Sequence, residues 1–358
     1  MPAVALALQA LTPQQLESAT GLREPEARRV VAAVHRGEAF TSVTGVRRAS
    51  LDAVRALGSV PTLEVRATIR SAVDPFVKLA LRTADGHVVE AVRIPLERAG
   101  RFTACVSSQV GCALACAYCA TGRLGLTRNL ESWEIIEQVR LLRATLDRAR
   151  GERIHGVVFQ GMGEPLANAD RVIDAIRVLC DPCALAIDGR AMTVCTSGLP
   201  AGIRRLAREA PKVRLGLSLF SARPDVRRRL MPIARTHELD EVIDAAREHA
   251  RTTGLASMWA LTLLAGVNDT QEDARALVAL AGAFASDTGV RPRVSVVPYN
   301  AIAPEADDPF ARADVARFVE TLAGLGLRVH VRYSGGWDVA AACGQLAGRA
   351  APGAPSAC

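Results

Sequence analysis

The segment RFTACVSSQVGCALACAYCATGRLG, residues 101–125, decides how this chain is read. Its first six residues alternate in polarity and favour aromatic and β-branched side chains, the pattern of a half-buried strand. A short turn follows, and then a tight loop carries Cys112, Cys116 and Cys119. A strand that delivers reactive groups into the loop beyond its carboxyl end is the local plan of an α/β barrel site. Outward from this segment the plan repeats. Strand-like runs at IHGVVFQ (154–160), AMTVCT (191–196), VRLGLSLF (213–220), SMWALTLL (257–264) and RVSVVPY (293–299) alternate with amphipathic helical runs such as LDEVIDAAREHART (239–252). Repeated strand–helix units predict a parallel sheet with right-handed crossovers. Six units make a partial, TIM-like (β/α)6 barrel, with VHVRYS (329–334) as a terminal extra.

Before the barrel the texture differs. Residues 1–60 read as a small accessory domain of three short helices, with Thr12 as an N-cap and Pro13 in the first turn. From Thr62 the chain alternates through LEVRATIRSAV, FVKLALRTADG and HVVEAVRIP, with Asp85-Gly86 where a hairpin turn belongs. The predicted organisation is therefore α/β. A helical domain (1–60) precedes a β-hairpin linker carrying Glu90 (61–97), then the barrel core (98–337). The last part (338–358) is a loop with Cys343 and, from Arg349, a tail expected to be disordered.

With 358 residues, 49% of them hydrophobic and 23% charged, the chain can bury a full core. The low-charge stretch Gly254 to Asn268 falls short of the roughly 18 apolar residues that span a bilayer. The amino-terminal run MPAVALALQALTPQQL has no basic n-region and no clear cleavage site. It reads as the start of a helix rather than a signal peptide, which predicts a cytoplasmic protein with no membrane partner. The net charge of +7 is nearly all arginine, since Lys78 and Lys212 are the only lysines. That suits a polyanionic partner, and equally an arginine-rich composition with no such partner. Nine cysteines without a secretory signal point to metal binding or catalysis rather than a disulfide framework.

Three thiolates at C-x₃-C-x₂-C spacing can hold three irons of a [4Fe–4S] cubane and leave the fourth without a protein ligand. That open iron can chelate the amino and carboxylate groups of S-adenosylmethionine, and one electron then yields a deoxyadenosyl radical. Tyr118, just before the third cysteine, is the aromatic expected in such radical enzymes. The plain alternative is a zinc site, which would want a fourth ligand that no nearby histidine supplies at normal spacing.

The longer stretch CVSSQVGCALACAYCATGRLGLTRNL (105–130) resembles the RlmN/Cfr family of radical S-adenosylmethionine methyltransferases, which methylate adenosine in RNA. Collinear matches continue through GMGEPLAN (161–168), TVCTSG (193–198), LGLSLFSARPDVRRRLMPIAR (215–235), LLAGVNDTQEDA (263–274), VVPYNAIAP (296–304) and AACGQLAG (341–348). The resemblance runs from about Glu90 to Gly348. It implies a radical barrel with one cluster per chain, held by Cys112, Cys116 and Cys119. Cys343 would take a methyl group from one S-adenosylmethionine and become S-methylcysteine. The deoxyadenosyl radical from a second would then remove hydrogen from that methyl, and the resulting carbon radical would add to adenine. Glu90, aligned on the pair Ile94-Pro95, would accept the proton from the substituted carbon. Cys105 would resolve the adduct through a transient disulfide with Cys343. Gly163, Glu164, Cys195, Ser218, Leu219, Phe220 and Asn300 match the family's cofactor-contact positions.

Each of these has a plainer reading: an inert buried thiol for Cys105, a solvated strand face for Glu90, turn residues for Ser218 and Asn300. The chain also departs from the family. Phe220 stands where a histidine is usual, Cys195 where a serine is usual, and Trp337 where an acidic residue is usual. The first two leave cofactor binding expected to survive; the third bears on substrate identity. Cys180 and Cys183 form a second C-x₂-C without a partner pair, which favours surface thiols over a metal site. Arg223, Arg227, Arg228, Arg229 and Arg235 form either a solvated face or a phosphate-gripping patch.

The expected activity is methylation of an adenine carbon, C2 first, in ribosomal or transfer RNA. The expected partners are RNA, which the N-terminal helical domain (1–60) is expected to help dock, and an electron donor such as flavodoxin, and the expected state is a monomer. The rival readings are C8 methylation, radical chemistry on a non-RNA substrate, and an iron–sulfur or zinc RNA-binding module without catalysis. The dithiol pair with Glu90 argues against the last, since binding alone needs no such relay.

Overall fold

Period-two segments from both halves of the chain join one ten-stranded sheet. The computed structural model describes residues 5–303 and 307–348, so the expected disorder of the tail lies outside the described residues. In chain order the strands are β1 (Leu6–Ala7), β2 (Gly58–Ser59), β3 (Glu64–Arg70), β4 (Val77–Arg82), β5 (Val88–Pro95), β6 (Arg101–Val106) and β7 (Gln109–Cys112). They continue with β8 (Gly125–Asn129), β9 (Arg153–Phe159), β10 (Met192–Thr196), β11 (Arg214–Ser218), β12 (Met258–Leu263), β13 (Arg293–Pro298) and β14 (His330–Val331). The large sheet has the order β14-β13-β12-β11-β10-β9-β6-β5-β4-β3. From β6 to β14 neighbouring strands are parallel, and β3, β4 and β5 are antiparallel. The parallel part is the predicted partial (β/α) barrel, with β14 as its extra strand.

Helices α4 (Ser132–Ala144), α5 (Ala169–Cys180), α6 (Pro200–Glu209), α7 (Pro224–Leu230), α8 (Leu239–Thr253), α9 (Gln271–Thr288) and α10 (Val315–Gly324) fill the crossovers. Their apolar stripes, with residues such as Ile135, Leu179, Leu206, Val242, Leu277 and Leu322, close over the sheet in one core. No helix among the described residues is long and apolar enough to cross a membrane.

The segment 61–97 contributes three strands to that same sheet, so β5 pairs directly with β6, with Val92 opposite Cys105. Glu90 and Lys78 sit on adjacent strands, opposite Ala80 and Val92 respectively. That places the two side chains diagonally on one face.

The helices α1 (Pro13–Thr20), α2 (Glu24–Arg36) and α3 (Arg48–Leu57) pack Leu16, Val30, Val34, Leu51 and Val54 into a separate small core. Thr12 caps α1 in a capping box with Gln15. The described residues before Thr12 do not form the α-helix expected of them; Leu8–Ala10 makes a single 3₁₀ turn. Within the described part, Leu6–Ala7 is a short strand parallel to Gly58–Ser59. A Cβ at Gly58 would lie 2.0 Å from the Leu6 carbonyl oxygen, so glycine is what lets the two segments pair.

Candidate active site

The cluster loop leaves the barrel on a small β7–β8 ladder. Gly111 has a φ of +75°, and a Cβ there would meet the Gly125 carbonyl oxygen at 1.9 Å. This close crossing of the two strands folds the loop back over the barrel mouth. There Cys112, Cys116 and Cys119 line one cavity together with Gly163, Glu164, Cys195, Ser218, Phe220 and Cys343. Among the described residues, no three His, Cys, Asp or Glu side chains are arranged to hold a single metal ion. The three thiols share the wall of one cavity. Burial pushes the Cys112 thiol up to about 11 and Cys116 up to about 12, and raises Cys119 as well. A metal centre supplies the positive charge that such thiols need in order to ionise. The donor set therefore fits an iron–sulfur cluster.

The cofactor side of the cavity is equally built. Gly163 has a φ of +98°, and a Cβ there would meet Gln109 Cβ at 2.5 Å. Glu164 is buried, and its oxygens accept from the backbone N–H of Leu166 at 3.0 Å and of Ser197 at 2.8 Å. Burial raises its pKa, and an ammonium group in the cavity would offset that cost.

Phe220 adopts a φ of +64°, strained for an aromatic residue. Its ring stacks on Tyr118 at 4.5 Å between centroids. The substitution for histidine thus joins the turn after β11 to the cluster loop. Leu219, by contrast, is fully buried and does not line the cavity.

Arg227 corrects an expectation. It is 1% exposed, and its guanidinium donates to the carbonyls of Ser218 at 3.0 Å, Leu219 at 2.5 Å and Ser197. It holds the ends of β10 and β11 together and cannot grip phosphate. Arg223 and Arg228 of the same run are already paired with Asp225, Glu272 and Glu238.

Cys343 stands in a segment pinned from several sides. Its carbonyl accepts from Asn300 Nδ2 at 3.2 Å, and Ser334 Oγ donates to Asn300 Oδ1 at 2.7 Å. The Gly344 carbonyl accepts from Ala120 N at 2.8 Å, and the Leu346 carbonyl from Thr121 Oγ1 at 2.6 Å. Asn300 therefore holds the cysteine loop, and it is not among the cavity-lining side chains. A second cavity of about 700 Å³ lies inside the barrel and is lined by Cys105, Met258, Arg332 and Cys343. Cys343 and Gly344 border both cavities.

Arg332, absent from the sequence-derived candidates, reaches this junction. Its Nη1 lies 3.0 Å from Gln160 Oε1 and 3.9 Å from Cys343 Sγ. Burial disfavours its charge, and the thiols of Cys343, Cys195 and Cys105 more than offset that. Burial raises Cys195 to about 12 and Cys105 further still.

Glu90 is 1% exposed rather than solvated. One oxygen lies 2.9 Å from Lys78 Nζ; the other accepts from the N–H groups of Ala347 at 2.7 Å and Gly348 at 3.0 Å. It reaches the cysteine segment from behind and lines neither cavity. Lys78 and Glu90 stand on neighbouring predicted strands, but nothing local in the sequence shows that the two side chains are buried. Cys180 and Cys183 are half-buried, with Cys183 against the core of α1 to α3.

A model of the radical SAM superfamily matches residues 106–279. A probable RNA methyltransferase of Sorangium cellulosum is 57% identical over 97% of this chain and 96% of its own length. A probable dual-specificity RNA methyltransferase RlmN of Moorella thermoacetica is 38% identical over 95% of this chain and 96% of its own. The crystal structure of a radical SAM methyltransferase from Sphaerobacter thermophilus superposes with a TM-score of 0.83 at 33% identity, covering 96% of this chain and 100% of that one. Membership of this superfamily implies a [4Fe–4S] cluster and S-adenosylmethionine. With a three-thiol cavity, a parallel partial barrel and relatives matched along nearly its whole length, the chain belongs to the RlmN family of radical S-adenosylmethionine RNA methyltransferases.

Proposed function

We propose that this chain methylates an aromatic carbon of adenosine, C2 in the first instance, in ribosomal or transfer RNA through a methylated Cys343. The observation that carries the reading is the position of Cys343 on the wall shared by two cavities, with Cys105 lining the second. A carrier thiol needs access to a methyl donor on one side and an acceptor on the other.

Cys112, Cys116 and Cys119 would hold the cluster, while Glu164, Gly163, Ser218, Cys195 and Phe220 would shape the S-adenosylmethionine pocket. When bound, the two together supply an electrophilic methyl group and a hydrogen-abstracting radical. Cys343 takes the methyl by displacement, forming its S–C bond as the sulfonium S–C bond breaks. Asn300, Ala120 and Thr121 hold the cysteine backbone so that its sulfur faces both cavities. Arg332 stands beside that sulfur and orients it. Glu90 accepts the proton from the substituted adenine carbon. In the resting arrangement its oxygens are occupied by Lys78, Ala347 and Gly348, so this step requires the 347–348 turn to move off the carboxylate. Cys105 then attacks the Cys343 sulfur: the disulfide forms as the bond from that sulfur to the bridging carbon breaks, the carbon takes a proton to complete the methyl group, and the unpaired electron left by radical addition goes to a one-electron acceptor, a role the bound cluster would supply; two-electron reduction resets the pair. The relatives' designation as RNA methyltransferases supports RNA as the acceptor.

Cys105→Ala tests the relay. With reconstituted enzyme, S-adenosylmethionine and total RNA, the variant should accumulate an RNA adduct on Cys343, seen as a nuclease-resistant mass increase on the peptide. Normal release of methyladenosine by the variant would remove the resolving role. Digestion of the wild-type product to nucleosides separates C2 from C8. Deoxyadenosine formation without any methylated nucleoside would point to a non-RNA substrate.

A further inference from the structure

The end of the barrel opposite the cluster is ringed with arginine. Strands β6, β9, β11 and β13 begin on Arg101, Arg153, Arg214 and Arg293, and Arg190 and Arg328 stand just before β10 and β14. Among the described residues none of these six makes an ion pair; those found in the structure lie elsewhere, as between Arg228 and Glu238. Burial and the neighbouring Arg98 and Arg153 lower the pKa of Arg101, and burial and Arg293 lower that of Arg214. The rim thus holds like charges that face one another, Arg101 with Arg98 and Arg153, and Arg214 with Arg293.

This rim opens into the larger cavity. Alternation on β6 puts Arg101, Thr103 and Cys105 on one face, and all three line it. At about 3.3 Å per residue, the cavity climbs roughly 13 Å from the rim to the thiol. A closed (β/α)8 barrel fills its interior with layers of large branched side chains. Here Thr103, Ala191 and Thr193 leave the shaft open. Apolar side chains that line the cavity stand exposed: Tyr333, after the carboxyl end of β14, is 67% exposed, Val331 43%, and Leu96, in the turn between β5 and β6, 36%. Of the described lining residues only Glu97 is acidic. Arginines without ion-pair partners and an exposed aromatic ring on one cavity are the composition that grips a single-stranded nucleic acid, through phosphates and stacked bases.

We propose that the RNA strand lies along the open side of this cavity, with its phosphates on the arginine rim at the amino-terminal end of the barrel and a neighbouring base on Tyr333, beyond the carboxyl end of β14. The target nucleotide is extruded into the shaft and meets Cys343 from inside the barrel. The inference rests on the RNA reading above. It accounts for the two-sided placement of Cys343, since cofactor and base then approach from different sides and do not compete for one opening. It also moves the phosphate contact away from the run between Arg223 and Arg235, much of which is spent on ion pairs and on the Arg227 clamp.

The test uses anaerobically reconstituted enzyme and an in vitro transcribed transfer RNA, with binding read by fluorescence anisotropy across a salt series. Cluster absorbance confirms that each variant is folded and loaded. Two rim variants are compared, Arg98→Glu/Arg101→Glu and Arg153→Glu/Arg293→Glu, the second at exposed positions. Each should bind about tenfold or more weakly, and the slope of log affinity against log salt should fall by at least about 1.4 per pair. Tyr333→Ala should weaken binding about tenfold with the slope unchanged, and Tyr333→Phe should restore it. Wild-type affinity in both rim variants, with the loss appearing instead in Arg228→Glu/Arg229→Glu, overturns this placement of the strand and leaves the RNA reading intact. Wild-type protein that binds neither this RNA nor a ribosomal RNA transcript overturns the reading on which the placement rests.

Discussion

Lys78 Nζ lies 2.9 Å from Glu90 Oε1, and the two side chains are 2% and 1% exposed. The same ammonium donates to the Ala340 carbonyl at 3.2 Å, while the other Glu90 oxygen holds the N–H groups of Ala347 and Gly348. The pair therefore brackets the Cys343 segment at both ends. The carboxylate proposed above as the proton acceptor is thus also a structural clamp.

Replacing Lys78 by Met should leave a buried carboxylate without its counter-charge. The expected loss is about 3–5 kcal/mol, read from urea unfolding. Glu90→Gln added to that variant should recover part of the loss. Limited proteolysis should cut near residue 340 faster in Lys78→Met than in the double variant.

Arg227→Ala removes the buried guanidinium that joins the carbonyls of Ser197, Ser218 and Leu219. The expected cost is about 2–4 kcal/mol of stability. S-adenosylmethionine affinity should fall about tenfold by equilibrium dialysis, because the ends of β10 and β11 lose their common anchor. Arg228→Ala, at the surface, should stay within about 0.5 kcal/mol of the wild type.

Phe220→His returns the family's usual residue to a left-handed position that histidine adopts more readily than phenylalanine. It gives up stacking on Tyr118 worth about 0.5–1.5 kcal/mol. The expected outcome is an unfolding midpoint within a few degrees of the wild type and S-adenosylmethionine affinity within about fivefold. A larger gain in affinity would show that Phe220 weakens the pocket rather than substituting for the histidine.

Two buried histidines set an acid limit. Burial, then Arg140 and Arg143, lowers His35 from 6.5 to about 3, and burial lowers His249 from 6.5 to about 4. Both are neutral in the fold and protonate more readily once unfolded. Their stabilisation is fully present above about pH 6.5 and is lost as pH falls towards 4. The expected loss is roughly 2 kcal/mol or more for each by pH 4.5, measured as urea stability against pH. His35→Phe should flatten the part of that profile that comes from the N-terminal helices.

The cluster loop, the barrel strands and the N-terminal helices were legible in the sequence because each is a local pattern. Period-two runs show strands, and the capping box at Thr12 and Gln15 starts a helix. Three thiols within eight residues share a loop whatever the rest of the chain does. Cys195, Ser218 and Phe220 were singled out by the family resemblance, and the convergence of strand ends in a parallel barrel brings them to one cavity.

What only the tertiary structure decided is which charged residues find partners at long range. Nothing local separates Arg227, turned inward onto three carbonyls, from Arg228, paired at the surface. Glu90 reads as an exposed strand residue until β3 to β5 join the barrel sheet and the C-terminal segment closes over them. Its bonds to Ala347 and Gly348 cross 257 and 258 residues. Periodicity reports which face of an element is buried. Desolvation and pairing of a charge depend on whatever other segment packs against that face, so the clamp on Cys343 and the arginine-rimmed shaft beneath it exist only in the folded chain.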